Sequence, residues 1–140
     1  MIKSIRDKCL FKSEDIFNIL GQLTDCPHIE LSQLNSIINN LSHNQEIFIY
    51  YKQKKPVGMI SIFIEQKIIH DGKCVGHIED LVVDKDFRGK NVAKELLSFA
   101  IKYSEFHNCY KVLLNCNDEL VEFYKKNNFI HKTNGMALYF

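Results

Sequence analysis

At 140 residues, 46% of them hydrophobic and 25% charged, the chain has enough material for one buried core and little for a second. Eighteen Lys and Arg nearly balance 17 Asp and Glu, leaving a net charge of +1; this excludes the broad cationic field of a nucleic-acid or membrane-surface protein and makes any anion site local. Cys9, Cys26, Cys74, Cys109 and Cys116 are odd in number and lack C-x-x-C spacing, and the longest uncharged apolar run, Val57 to Ile64, is far below membrane-spanning length; the expectation is a cytoplasmic protein without a disulfide framework or a zinc site.

Ser4 to Asp7 opens as a strand-like start. Ser13 stands where an N-cap belongs, ahead of a helix over Glu14 to Leu20 that carries Ile16, Ile19 and Leu20 at helical spacing and stops at Gly21. A second helix, Leu31 to Leu41, sets Leu31, Leu34, Ile38 and Leu41 on one stripe. From Glu46 the pattern turns to β: Ile47 to Tyr51, a turn over Lys52 to Pro56, and Val57 to Glu65 predict an antiparallel hairpin. Lys67 to His70 and Val75 to Val83 predict the next strands, split by the turn Asp71-Gly72-Lys73.

A helix of about four turns follows from near Asn91 to His107-Asn108, with Val92, Leu96, Leu97, Ala100 and Ile101 on its apolar face. Tyr110 to Cys116 is a continuous apolar run suited to a buried strand. Asn117 is placed to cap a helix that buries Leu120, Val121 and Tyr124, and Met136 to Phe140 predicts a last strand. Helices first, then an antiparallel meander, then β-α-β-α-β make an α+β domain with a mixed central sheet flanked by helices.

Between strand and helix the chain reads Arg88-Gly89-Lys90-Asn91-Val92-Ala93, small and cationic. A helix start exposes unpaired N–H groups and the positive end of the helix dipole, so this turn suits a polyanion. Taken alone, the turn also fits ordinary helix capping, Lys90 and Lys94 fit solvated charge, and Tyr124 fits a core position.

The order of elements, the Arg-Gly-Lys-x-x-small turn, and the later short helix with Phe123-Tyr124 together resemble the GNAT superfamily of N-acetyltransferases. Leu20-Gly21-Gln22-Leu23-Thr24, Glu65-Gln66-Lys67-Ile68-Ile69-His70 and Gly76-His77-Ile78-Glu79-Asp80 are similar to segments of the eukaryotic glucosamine-6-phosphate N-acetyltransferases. The superfamily turn has Gln or Arg, then Gly, then Gly or Ala where this chain has Arg88, Asn91 and Ala93. Asn91 departs from it, but asparagine tolerates left-handed backbone angles better than other non-glycine residues. Asn128 likewise replaces the usual glycine at a helix end.

The resemblance implies a single GNAT domain over residues 1–140 that uses acetyl-CoA as co-substrate and no metal. It implies transfer of acetyl to the 2-amino group of glucosamine 6-phosphate by direct attack in a ternary complex, on the route to UDP-N-acetylglucosamine, in a homodimer with no nucleic-acid or membrane partner. Backbone N–H groups across Gly89, Lys90, Asn91, Val92, Ala93 and Lys94 would bind the pyrophosphate, with Arg88 and Lys90 adding charge. Leu81, Val82 and Val83 would pair with the pantetheine arm as an added strand does. Asn115, Tyr124, Lys125 and Lys126 would also contact acetyl-CoA; Tyr124 would serve the leaving thiolate, and the main-chain carbonyl of Asn115 would accept a hydrogen bond from the amine.

On the same basis Glu79 and Asp80 would contact the sugar and relay the ammonium proton through water. As adjacent strand residues they face opposite ways unless a bulge intervenes. Thr24, Lys67, Ile68, Ile69, His70, Tyr110 and Lys111 would complete the amino-sugar site. Tyr139 stands where relatives carry an arginine that reaches the substrate phosphate, a loss that His131 or Lys132 is placed to offset. The alternatives are a GNAT enzyme for another small amine or a peptide amine, and a non-catalytic acyl-CoA-binding module. The large apolar residues of Met136 to Phe140 exceed what a lone edge strand exposes, which again suggests a homodimer.

Overall fold

Five strands, β1 (Ile2–Ser4), β2 (Gln45–Lys52), β3 (Lys55–Gln66), β4 (Cys74–Val83) and β5 (Cys109–Leu113), line up in sequence order in one sheet. All neighbours are antiparallel except β4 and β5, which are parallel, so the sheet is mixed as expected. The helices are α1 (Ser13–Leu20), α2 (Leu31–Asn40), a single distorted turn α3 (Ile69–Gly72), the long α4 (Val92–Phe106) and the short α5 (Val121–Lys125). These elements come from a computed structural model that describes residues 1–7 and 11–140, so Cys9 lies outside the described residues.

The two faces of the sheet bury separate cores because strand side chains alternate. On one face Ile60, Ile62, Ile64 and Ile78 pack under Leu96, Leu97 and Ala100 of α4. On the other, Ile49, Tyr51, Met59 and Val82 meet Ile16, Phe17, Ile19, Leu34 and Ile38 of α1 and α2. Each such aliphatic side chain, removed from water, stabilises the fold by about 1.5 to 3 kcal/mol. Helix α4 lies so close to β4 that a Cβ built on Gly76 would stand 2.5 Å from Ser104 Oγ. Only glycine lets these two elements approach this far.

Several expectations are corrected. The first strand is Ile2–Ser4, and the chain turns back at Asp7, whose N–H donates to Ser4 O at 3.1 Å. Lys12 occupies the N-cap of α1 and Ser13 is already helical, with Glu14 and Asp15 in the first turn suiting the helix dipole. Leu31 is exposed, so the buried stripe of α2 is Leu34 and Ile38. Lys67 to His70 is not a strand: β3 and β4 pair up to Gln66 and Cys74, and the loop between them contains His70 and Asp71, both at positive φ.

Strand β5 stops at Leu113 and is only half-buried, because it forms the sheet's outer edge. Asn117 precedes a 3-10 turn (Asp118–Leu120) with no side-chain cap bond, and of Leu120, Val121 and Tyr124 only Tyr124 is buried. Met136 to Phe140 forms no strand. A strand needs a hydrogen-bonded neighbour, and among the described residues these have none beside β5; Met136 is 99% and Tyr139 90% exposed.

Candidate active site

Strand β4 carries the first construction. Its pairing with β3 passes from Met59↔Val82 to Ser61↔Glu79, leaving Asp80 and Leu81 opposite Ile60 alone. This bulge puts Asp80 at φ 52°, and as a result Glu79 and Asp80 are both exposed. The Ser61 hydroxyl donates to Asp80 Oδ2 at 3.4 Å. Strand β5 pairs with β4 only as far as His77↔Leu113, so β4 runs on from Ile78 to Val83 with no strand among the described residues on that side. The open edge includes Leu81, Val82 and Val83.

Past Val83 a 3-10 turn (Lys85–Phe87) leads to α4. Asp84 accepts from the Asp86 N–H at 2.9 Å, and the Arg88 guanidinium folds back to donate to Val83 O at 3.1 Å. Gly89 (φ 71°) and Asn91 (φ 62°) both take left-handed backbone angles, as the asparagine allows. Glu95 N–H makes the helix's first bond, to Asn91 O at 2.9 Å, and the Asn91 side chain makes no cap bond. The N–H groups of Val92, Ala93 and Lys94 therefore precede the helix's own bonding pattern.

These three residues line a cavity of about 460 Å³ together with, among others, Arg88, Gly89, Phe123 and Lys126. A Cβ on Gly89 would meet nothing within 4 Å, which leaves room there for a bulky anion. Lys90 is turned elsewhere: its ammonium donates to Asp86 O at 2.8 Å and lies 5.0 Å from the centre of the Phe87 ring.

A second cavity, of about 840 Å³, is lined among others by Asn115, Cys116, Tyr124, His131, Lys132 and Tyr139. Helix α5 joins the two, because Phe123 and Lys126 face the first while Tyr124 and Lys125 face the second. Tyr124 is 8% exposed, wedged between the rings of Phe123 and Phe129 at 5.1 and 5.7 Å. Its hydroxyl makes no hydrogen bond to any of the described residues. Burial, and secondarily the Cys116 thiol, push its phenol above the ordinary value, so it is a proton donor at neutral pH. The chain after Phe129 folds over this cavity, with Gly135 placed so that a Cβ there would stand 3.1 Å from Asn115 Oδ1.

The amino-sugar candidates divide. His70 stacks on Tyr110 with ring centres 4.1 Å apart, and Lys111 Nζ lies 5.4 Å from the same tyrosine ring, so these three come together. Lys67 does not join them: its ammonium is held by Glu65, which also pairs with His77 Nε2 at 2.8 Å. Lys67 first and His77 second hold the Glu65 carboxyl below its usual range. Ile68 and Ile69 are exposed, and so is Thr24, on the loop after α1. That loop is tied to the end of β4 by the Lys85 N–H, which donates to Gln22 Oε1 at 2.7 Å. Lys125 pairs with Glu122 at 2.9 Å.

Sequence reasoning passed over Cys116 and Phe87 and used Phe123 only as the motif neighbour of Tyr124; all three line these cavities. The only available signal was that Cys116 follows Asn115 and that Phe123 and Phe87 flank residues already singled out. Among the described residues no group of three or more His, Cys, Asp and Glu is placed to hold a metal, and no helix is long and apolar enough to cross a membrane.

Residues 13–129 match the acetyltransferase (GNAT) family. The chain is 30% identical over 129 residues to a probable glucosamine 6-phosphate N-acetyltransferase 2 of Oryza sativa subsp. japonica, covering 87% of this chain and 78% of that one. It is 32% identical over 114 residues to the glucosamine 6-phosphate N-acetyltransferase of Trypanosoma brucei brucei, covering 79% and 78%. The crystal structure of glucosamine-6-phosphate N-acetyltransferase from Arabidopsis thaliana superimposes with a TM-score of 0.88 at 28% identity, over 100% of this chain and 97% of that one.

Proposed function

The chain belongs to the acetyltransferase (GNAT) family and is an acetyltransferase, and from that premise we propose that it moves the acetyl group of acetyl-CoA to the 2-amino group of glucosamine 6-phosphate by direct attack in a ternary complex. The observation that carries the reading is the left-handed pair Gly89 and Asn91, which sets the head of α4 beside a cavity that α5 links to Tyr124, whose hydroxyl has no partner among the described residues.

Acetyl-CoA supplies an activated acyl thioester. The N–H groups of Val92, Ala93 and Lys94, with the positive end of α4, bind the pyrophosphate, and Arg88, Lys94 and Lys126 supply charge. The open edge of β4 at Leu81 to Val83 takes the pantetheine amides as a neighbouring strand would. Tyr124 donates its phenolic proton toward the leaving sulfur, a role its raised pKa suits, because the proton stays in place until it is needed.

On the acceptor side the bulge at Asp80 lets both Glu79 and Asp80 face the amino sugar, orienting it and passing the ammonium proton to water. The main-chain carbonyl of Asn115 holds the amine. His70 and Lys111 receive the phosphate, and His131 or Lys132, both of which share Tyr124's cavity with Tyr139, offsets the missing arginine. Lys67 acts one step removed, by way of Glu65. Residues 1–140 form one such domain, cytoplasmic and working as a homodimer that covers the apolar residues 136–140, and the product feeds UDP-N-acetylglucosamine synthesis.

A steady-state assay with glucosamine 6-phosphate, glucosamine and a peptide panel tests this. The sugar phosphate is expected to react fastest. Equal kcat/KM with and without the phosphate would remove the phosphate site, and transfer to peptides alone would replace the substrate.

A further inference from the structure

Two of the cysteines face each other across the parallel part of the sheet. Cys74 and Cys109 are register partners at the head of the β4–β5 ladder, where the Cys74 N–H also donates to Asn108 O at 3.1 Å. Neighbouring strands run about 4.8 Å apart, inside the roughly 4.4 to 6.8 Å that a disulfide spans between Cα atoms. Both side chains lie on the α4 face, packed against the same core cluster, so the sulfurs point the same way. Both are free thiols, half-buried, and the Cys74 thiol donates a 3.5 Å hydrogen bond to Gln66 Oε1. Burial first, and Cys74 second, push the Cys109 thiol up, which marks the two sulfurs as electrostatic neighbours.

We propose that Cys74 and Cys109 are a modification site that closes to a reversible cross-strand disulfide when the protein meets a small-molecule disulfide such as oxidised glutathione. One cysteine thiolate attacks a sulfur of the oxidant and expels a glutathione thiolate, giving a mixed disulfide. The second cysteine then attacks the protein sulfur of that bond and expels the other glutathione. Two protein thiols and one oxidised glutathione become one protein disulfide and two reduced glutathiones, with the two thiol protons carried off on the products.

Side chains that stand parallel on adjacent strands hold their Cβ atoms farther apart than the roughly 3.8 Å of a relaxed disulfide, so the bond is strained and easily reduced. This makes the pair a switch, unlike the permanent framework that an odd cysteine count argues against. Its position gives it reach. Directly after Cys74↔Cys109 the ladder skips a residue, Val75 pairing with Lys111, and the skipped Tyr110 stands out to stack on His70. The disulfide would tie together the two strand heads from which that stack projects. Cys26 packs on the opposite face of the sheet and Cys116 lies beyond the end of β5, which leaves neither in register with this pair.

The full chain, incubated with oxidised glutathione, then blocked with N-ethylmaleimide and digested without reductant, gives the test by mass spectrometry. The expected result is a peptide containing Cys74 joined to one containing Cys109, with the loss of two maleimide additions that return when dithiothreitol treatment precedes the block. A variant with Cys9→Ser, Cys26→Ser and Cys116→Ser is expected to keep the link, because none of those residues takes part. Full alkylation of both cysteines, a stable glutathione adduct without the link, or joining of Cys109 to a cysteine other than Cys74 in the folded protein would overturn the proposal.

Discussion

The Tyr50 hydroxyl, on β2, donates a 2.7 Å hydrogen bond to Glu95 Oε2 in the first turn of α4. Tyr50 is buried and Glu95 is exposed, so the bond pins the head of the helix that bounds the anion cavity to the middle of the sheet. Tyr50→Phe is expected to cost about 1 kcal/mol, a bond to a charged but solvated acceptor, and to lower Tm by a few degrees in a thermal melt. It should also raise the KM for acetyl-CoA and leave kcat near its starting value.

The same bond gives a pH signature. The Glu95 hydrogen bond first, then burial, then the Glu95 charge raise the Tyr50 phenol above its ordinary value near 10. A group raised on folding contributes stability in full below its unfolded pKa and loses it as pH climbs through the folded value. Urea unfolding followed upward from about pH 9 should show this loss in the parent chain and a smaller one in Tyr50→Phe. Identical alkaline slopes would take Tyr50 out of the account.

Tyr124→Phe removes the hydroxyl of a buried tyrosine that lines the cavity also holding Asn115 and Cys116. Losing a positioned acid is expected to lower kcat on the order of 10²-fold, with a smaller change in the acetyl-CoA KM. Because the phenol is raised, the alkaline limb of the parent's kcat profile should lie above the ordinary tyrosine value and be absent from the variant. An unchanged kcat would remove Tyr124 from the chemistry.

At Asn91 the backbone (φ 62°, ψ 6°) suits glycine as well as asparagine. Asn91→Gly should leave stability and acetyl-CoA binding close to the parent's. Asn91→Val, which pays roughly 1 to 2 kcal/mol for a left-handed β-branched residue, should lower Tm and raise the acetyl-CoA KM several-fold. Equal behaviour of the two variants in melts and kinetics would mean that the turn does not depend on this conformation.

Lys111→Ala and His70→Ala remove the two phosphate-contact candidates that meet at Tyr110. Each is expected to raise the KM for glucosamine 6-phosphate by about tenfold, equivalent to ~1.4 kcal/mol, while the acetyl-CoA KM holds. Kinetics with unphosphorylated glucosamine should be nearly indifferent to both changes. A loss shared equally by the two sugars would place these residues away from the phosphate.

What could be read in the chain was local. Asn91 and Asn128 were recognisable as left-handed positions because asparagine tolerates them, and both have positive φ. The core helix faces followed from spacing, as Leu96, Leu97 and Ala100 show by being fully buried. Strand texture alone misplaced Lys67 to His70, since where a hairpin closes depends on the register of β3 against β4, which is set here at Gln66↔Cys74. The bulge that exposes both Glu79 and Asp80 was stated only as a condition. It arises because Asp80 and Leu81 face the single residue Ile60 across the ladder, a relation between segments about 20 residues apart.

By itself the sequence determined the α+β order of elements, the β2–β3 hairpin, the small turn before α4 and the family resemblance, because each depends on side-chain size, charge and period over a few neighbouring residues. Only the tertiary structure decided that Lys67 spends its charge on Glu65, that Cys74 faces Cys109, and that, among the described residues, the Tyr124 hydroxyl meets no partner and Met136 to Phe140 finds no strand to join. Those outcomes follow from which distant backbone stretches lie side by side, and a strand or an ion pair exists only once its partner is in place.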